Sequence, residues 1–446
     1  MVLPRGCKKY YRDLFSVDGM QRAQTSDRPR RLIPDLDRNG RIVVAARTLR
    51  SFGFGLNSVA LGLYLAGLGL PGLDIGLIVS AAFAGSLALT VIIAGWGDRI
   101  GRRRLLMAGS ALMTSAALIP LVSREPLLLA VIALSGMIAV NANESTGLQT
   151  VDQALLPQAV PDSQRTKAFA FYNLLASGAA ALGALSVGLL PHIGGLLGLT
   201  GADIYAPAFL AYAAIGVMTV ALHARLDRRA ETGERLERRL AIGPSRPIVA
   251  RMSLLFGLDS FASSLSVQSY LAYFLAARFG ADPTTAGTLF FAAGLLATMS
   301  FPVAGWLSAR IGLIATMVFT HIPSSIFLIG LALAPNLAIA SVLLLARSAL
   351  ASMDVPARQS YTMAVVEPRE RTATAGVTSL ARAFAQVPGP ALAGSLLVPI
   401  GLGVPLVATG VLKIAYDLLL FAMFRSRPAP EEVRTEPGPE ASSGGR

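Results

Sequence analysis

The chain of 446 residues is 53% hydrophobic and only 15% charged, with a mean hydropathy of +0.58, whereas a soluble domain carries about 25% charged residues. A bilayer core of about 30 Å needs about 20 apolar residues per helix, and uncharged windows of that length recur, so the fold class expected is an all-α integral membrane protein. The net charge of +13 does not point to nucleic acid, because the basic residues gather between alternate apolar runs; the single cysteine, Cys7, excludes a disulfide framework or a Cys-based metal site, and His192, His223 and His321 lack ligand spacing.

Residues 1–41 read as a polar, basic tail without the apolar run of a cleavable signal peptide, and Met20 is an equally acceptable start. Six spans follow, near 43–67, 72–97, 104–123, 126–150, 167–192 and 204–224. Residues 225–250 form an Arg-rich linker that mixes both signs of charge. Six more spans lie near 251–277, 284–308, 311–334, 337–360, 373–398 and 402–424. The domain division expected is therefore a tail (1–41), a six-helix bundle (42–224), a linker (225–250), a second six-helix bundle (251–425) and a C-terminal tail (426–446) disordered by composition. Lys and Arg collect in the tail, in 99–104, at Arg165 and Lys167, in the linker, and at Arg369 and Arg371; the alternate loops hold only Arg124 and Arg278. That asymmetry places both termini in the cytoplasm.

The two halves repeat. "AGWGDRIG" (94–101) matches "AGWLSARIG" (304–312) with one inserted residue. Arg165-Thr166 falls on Arg371-Thr372 at an offset of 206, and "RSFGFGLNSVALGLY" (50–64) falls on "DSFASSLSVQSYLAY" (259–273) at 209. A parallel six-helix repeat places a pseudo-two-fold along the membrane normal, with a binding site between the halves near the midplane.

On these residues the chain resembles the major facilitator superfamily from Arg41 to Arg425. The loop between spans 2 and 3 is similar to that family's Gly-x-Leu-Ala-Asp-Arg-x-Gly-Arg-Arg signature through Asp98, Arg99, Gly101, Arg102 and Arg103. It departs upstream, where Ala94, Trp96 and Gly97 replace the usual residues, and the second copy has Ala309 in place of the Asp. The resemblance implies a conformational latch in which Asp98 holds the start of span 11, near Arg371 to Thr374; the plainer alternative is that the arginines only enforce topology. The antiporter signature of span 5 is matched in glycine spacing by 177–188 but lacks the proline, and "PGPALAG" (388–394) stands in span 11 instead.

Ionisable residues inside spans are costly and functional by default. Arg50 (span 1), Glu144 (span 4), Asp259 (span 7), Arg347 and Asp354 (span 10) and Arg382 (span 11) are candidates for the proton and substrate pathway, with Asn57 and Gln268 as hydrogen-bonding partners. Asp354 could equally be a structural cap. Tyr64, Tyr270 and Tyr273 add aromatic surface, and these polar residues could equally serve helix packing. Arg47 reads as a snorkelling residue, and Lys413 and Asp417, spaced i, i+4, as a self-neutralising structural pair. Two pairings are open: Arg50 across the axis to Asp259, or each within its half, Arg50 with Glu144 and Asp259 with Arg347.

No nucleophile with a base, phosphate loop or metal set stands out, so no enzyme, no cofactor and no metal is expected. The reading is a secondary active transporter, monomeric in the plasma membrane, moving small organic molecules such as drugs outward in exchange for protons by alternating access. The rivals are an uptake or facilitative carrier for an organic anion, bound by Arg50, Arg347 or Arg382, and a non-transporting receptor.

Overall fold

The protein is represented by a computed structural model that describes residues 34–142, 147–161, 164–227, 243–367, 370–397 and 401–425. Among these the regular elements are helices. Span 1 is Arg38–Leu68, span 2 Gly72–Ile100, span 3 Arg102–Val122, span 5 Arg165–Ser186 and span 6 Ala206–His223. In the second half, span 8 is Pro283–Ile311, span 9 Leu313–Leu333 and span 12 Val404–Phe424. Span 7 has two pieces, Arg246–Ser264 and Gln268–Phe279, as has span 10, Leu337–Ala351 and Asp354–Ala364.

Ten stretches among the described residues are long and apolar enough to cross a membrane. The two that complete twelve, spans 4 and 11, are interrupted. Span 4 runs as Pro126–Ala133, then irregularly to residue 142, then as Gly147–Leu155; span 11 runs as Arg371–Gln386 and Gly389–Leu397. In span 4 the chain turns at Gly136, φ +69°, a conformation costly for any residue with a Cβ. In span 11 Pro388 and Pro390 remove two N–H donors from the helical ladder. Such breaks survive within a membrane only where they are buried in protein or line a cavity.

Span 1 begins earlier than hydropathy indicates, because the Asp37 carboxylate accepts from Gly40 N at 2.6 Å and caps a polar first turn. The two copies of the charged loop share one backbone device: Gly101 (φ +94°) and Gly312 (φ +87°) each separate two nearly abutting helices. The folded chain therefore carries the sequence repeat at the level of turns.

Spans 1–6 and 7–12 form two bundles that meet through span 1 with the second piece of span 7, span 2 with span 11, and span 5 with span 8. Their tightest approaches lie near the connection between spans 1 and 2. A Cβ at Gly62 would collide with the carbonyl oxygen of Ser269, and one at Gly394 with that of Gly72. Small residues that let backbones touch are how helices pack in lipid, where no hydrophobic force drives association.

Candidate functional site

Between the bundles lies a cavity of about 290 Å³ walled by spans 4, 5, 7, 8, 9, 10 and 12. Spans 5 and 8 supply small or apolar walls, among them Ala180, Ala181, Gly294 and Phe290, and spans 7, 9 and 10 supply hydroxyls. Its floor is a reciprocal clasp between two helix breaks. Gln268 N donates to Asn141 Oδ1 at 2.9 Å, Ala142 N donates to Gln268 Oε1 at 3.3 Å, and Ser269 N donates to the Val140 carbonyl at 3.1 Å. Each side-chain oxygen thus satisfies a backbone donor that its neighbour's helix break has freed. Asn57 and Tyr212 hold the irregular stretch of span 4 in place, donating to the carbonyls of Ala139 (3.1 Å) and Met137 (2.6 Å).

One wall opens onto a buried charge network in the second bundle. His321 and Lys413 face the cavity. Lys413 Nζ donates to Asp259 Oδ1 at 2.8 Å and lies 3.3 Å from His321 Nε2, while His321 Nδ1 lies 3.0 Å from Asp417 Oδ2. The tautomer that satisfies both contacts carries its proton on Nδ1, donating to Asp417 and accepting from Lys413. Behind them Arg358 Nη1 reaches Asp259 Oδ2 at 3.2 Å and Asp354 Oδ2 at 3.1 Å. Arg382 Nε donates to Ser260 Oγ at 2.9 Å, one residue from Asp259. A connected path of titratable groups therefore runs from the cavity into the bundle.

The first bundle holds a smaller counterpart with no water access. Arg50 and Asp152 form an ion pair in which both side chains are fully buried. Tyr172 donates to Asp152 Oδ2 at 3.4 Å, and the Arg47 guanidinium lies 5.7 Å from the Tyr172 ring centre. Arg47 is buried rather than snorkelling, and its guanidinium packs against the Tyr172 ring.

The sequence-derived candidates divide accordingly. Asp259, Asp354 and Arg382 gather around Arg358, and Arg347 and Gln268 face the cavity. Arg50 stands apart in the other bundle, and Asn57 serves helix packing rather than the cavity. Tyr64 and Tyr270 likewise donate to backbone carbonyls, of Pro120 and Leu402. Glu144 lies outside the described residues. The expected pairing of Arg50 with Glu144 lies outside the described residues; among those described Arg50 takes Asp152, and Asp259 takes Lys413 and Arg358 rather than Arg347. Lys413 and Asp417 do not simply neutralise one another, since each engages a group on another helix. In the charged loop only the backbone of Asp98 is described. Arg99 is exposed, and Arg103 Nη2 donates to the Ala224 carbonyl at 2.6 Å, capping the end of span 6.

Asp152, His321 and Arg358 were not singled out by sequence. A signal existed for two of them: the 206-residue offset that aligns Arg165 with Arg371 also aligns Asp152 with Arg358.

The sequence profile of the Major Facilitator Superfamily matches residues 43–258 and 252–444. The chain belongs to this family. It is 27% identical over 421 residues to the uncharacterized membrane protein YJR124C of Saccharomyces cerevisiae, covering 87% of this chain and 94% of that one. Among solved structures, the nucleoside transporter NupG superposes with a TM-score of 0.69 at 13% identity, covering 86% of this chain and 99% of its own. A bacterial homolog of the human lysosomal transporter Spinster, inward-facing and occupied, gives 0.66 at 18% identity over 87% and 97%. The inward-open xylose transporter XylE from E. coli gives 0.63 at 13% identity over 85% and 95%. At these identities the likeness is one of fold. A Major Facilitator Superfamily member with a cavity between two bundles is a multi-pass membrane transporter for a small molecule, not an enzyme.

Proposed function

We propose that this chain is a proton-coupled secondary transporter, acting as a monomer in the plasma membrane with both termini cytoplasmic, and exporting a small polar organic molecule by alternating access. The observation that carries the coupling is the path from the cavity through Lys413 and His321 to Asp259 and Asp417. A histidine ring takes a proton at one nitrogen and releases it from the other, and this ring bridges a cavity-facing cation and a buried acid. Protonation there weakens the hold of Lys413 on its partners, which couples charge at the cavity wall to the packing of spans 7, 9 and 12. The cytoplasmic placement of the termini rests on the loop arginines. The export direction rests on the Gly-Pro stretch at 388–394, which breaks span 11 as it approaches span 2. A cavity of about 290 Å³ lies at the small end of ligand pockets, which favours metabolite-sized solutes over large drugs.

The test is transport in proteoliposomes with and without an imposed pH gradient. His321→Gln keeps a hydrogen-bonding side chain and loses the exchangeable proton, so gradient-driven accumulation is lost while substrate exchange at equal pH persists. Accumulation that still follows the gradient at the wild-type rate removes His321 from the coupling path. Glu144→Gln in the same assay tests Glu144 by the same two outcomes.

A further inference from the structure

The cavity lining is unequal in its hydrogen-bonding groups. Among the described residues no carboxylate lines it, whereas Arg347, Lys413 and the side-chain amides of Asn141 and Gln268 all do. The oxygens of the two amides are spent on the clasp, accepting from Gln268 N and Ala142 N. Their NH₂ groups remain to donate. Ser266 is 4% exposed, lines the cavity, and its Oγ has no hydrogen-bond partner. Lys413 is matched by Asp259 at 2.8 Å. Arg347 is not matched: no ion pair or side-chain hydrogen bond of its guanidinium occurs among the described residues, although its own carbonyl accepts from Ser324 Oγ at 3.4 Å. The other two arginines considered from sequence as anion ligands are committed elsewhere, Arg50 to Asp152 and Arg382 to Ser260.

An unpaired guanidinium within the membrane is costly unless water or a counter-charge meets it, and its planar fork suits a carboxylate through two parallel N–H···O bonds. A lining that offers cationic and amide donors and, among the described residues, no carboxylate disfavours cations and leaves a neutral solute without the group that answers Arg347. We infer that the transported molecule is a small hydroxylated organic acid, its carboxylate seated on Arg347 and its hydroxyls on Ser266 and the free amide groups of Asn141 and Gln268. This rests on the reading of the cavity as the transport site, and not on the coupling ion.

The experiment is equilibrium binding to the purified protein in nanodiscs, by calorimetry and by ligand-dependent shift of the melting temperature, without any gradient. The probes are three carboxylates with neutral counterparts: glycerate against glycerol, gluconate against sorbitol, glucuronate against glucose. At least one carboxylate binds, and its neutral counterpart binds roughly ten- to a hundredfold more weakly, the range expected for one charge-assisted hydrogen-bonded contact. Arg347→Gln removes that preference, Arg347→Lys restores part of it, and both melt like the wild type without ligand, because the Arg347 guanidinium has no ion pair or hydrogen bond to lose among the described residues. Binding of none of the three carboxylates overturns the inference. So does equal binding of the neutral partners, a response to chloride or inorganic phosphate alone, or a preference that survives Arg347→Gln. Carboxylate binding with no transport response to a pH gradient would refute the coupling reading alone; gradient-driven transport confined to neutral solutes would refute this inference alone.

Discussion

Arg50 with Asp152 and Asp259 with Arg358 occupy repeat-related positions on spans 1, 4, 7 and 10 with the signs exchanged. Each of these ion pairs thus lies within one half, and the bundles can rock apart without breaking either. The first of these pairs is dry, with both side chains fully buried, so removing one partner strands the other at a cost of about 3–5 kcal/mol, whereas replacing both with apolar groups costs far less. Asp152→Asn is therefore expected to lower the melting temperature strongly in detergent. The double variant Arg50→Met with Asp152→Leu should recover most of that loss, and the exchange Arg50→Asp with Asp152→Arg part of it. A double variant no better than Asp152→Asn alone would mean that the pair does not act as a unit. Sequence identified Arg50 and Asp259 because charge inside an apolar run is conspicuous. It missed Asp152, which lies two residues beyond where hydropathy closes span 4, and passed over His321, which was weighed only for metal-ligand spacing. Partner choice depends on which face each helix turns to its neighbour, and a single chain does not display that.

At the scale of helices, the number, order and repeat of the spans were legible because the bilayer imposes a length on every apolar run. The interruptions of spans 4, 7 and 10 were not, since the sequence stays uncharged through Leu265–Val267 and around Gly136 while the backbone leaves the helix; that of span 11 falls on the Gly-Pro stretch at 388–394. Those interruptions place the cavity groups: Gln268 starts the second piece of span 7, and Asn141 lies in the open stretch of span 4. Close approach of the bundles at the same level depends on missing side chains. Gly62→Leu would push span 1 off Ser269, and Gly394→Leu would push span 11 off Gly72, so either disfavours the arrangement seen here while leaving each bundle intact. With Cys7, the single native cysteine, replaced by serine, cysteines introduced along the far ends of spans 1 and 7 should react faster with a membrane-impermeant maleimide in these variants. Unchanged labelling would show that the glycines are not what lets this end close.

For the whole molecule, the clasp and the glycine contacts close one end, and the charged loop between spans 2 and 3 lies at the other. A two-state carrier balances these ends against one another, so a group that holds only one state shifts the population by its own differential free energy. The clasp contributes two hydrogen bonds made by side chains, each worth about 0.5–1.5 kcal/mol; losing both changes the ratio of states by roughly five- to a hundredfold, since about 1.4 kcal/mol is one decade. Asn141→Ala with Gln268→Ala should therefore populate the state open at the far end. If Asp98 latches span 11 as the family resemblance implies, Asp98→Asn should act in the opposite sense, disfavouring closure at the end where the charged loop lies. Combining the two sets should bring the populations back toward the wild type, because both act on one equilibrium. Pulsed electron-electron distance measurements between spin labels on the two bundles, one pair at each end, read the populations directly. Opposite shifts that cancel in combination establish a single rocking equilibrium with two opposed gates. Shifts in the same direction, or an Asp98→Asn distribution identical to the wild type, would reduce the charged loop to a device for topology and leave the clasp as the gate with a demonstrated role.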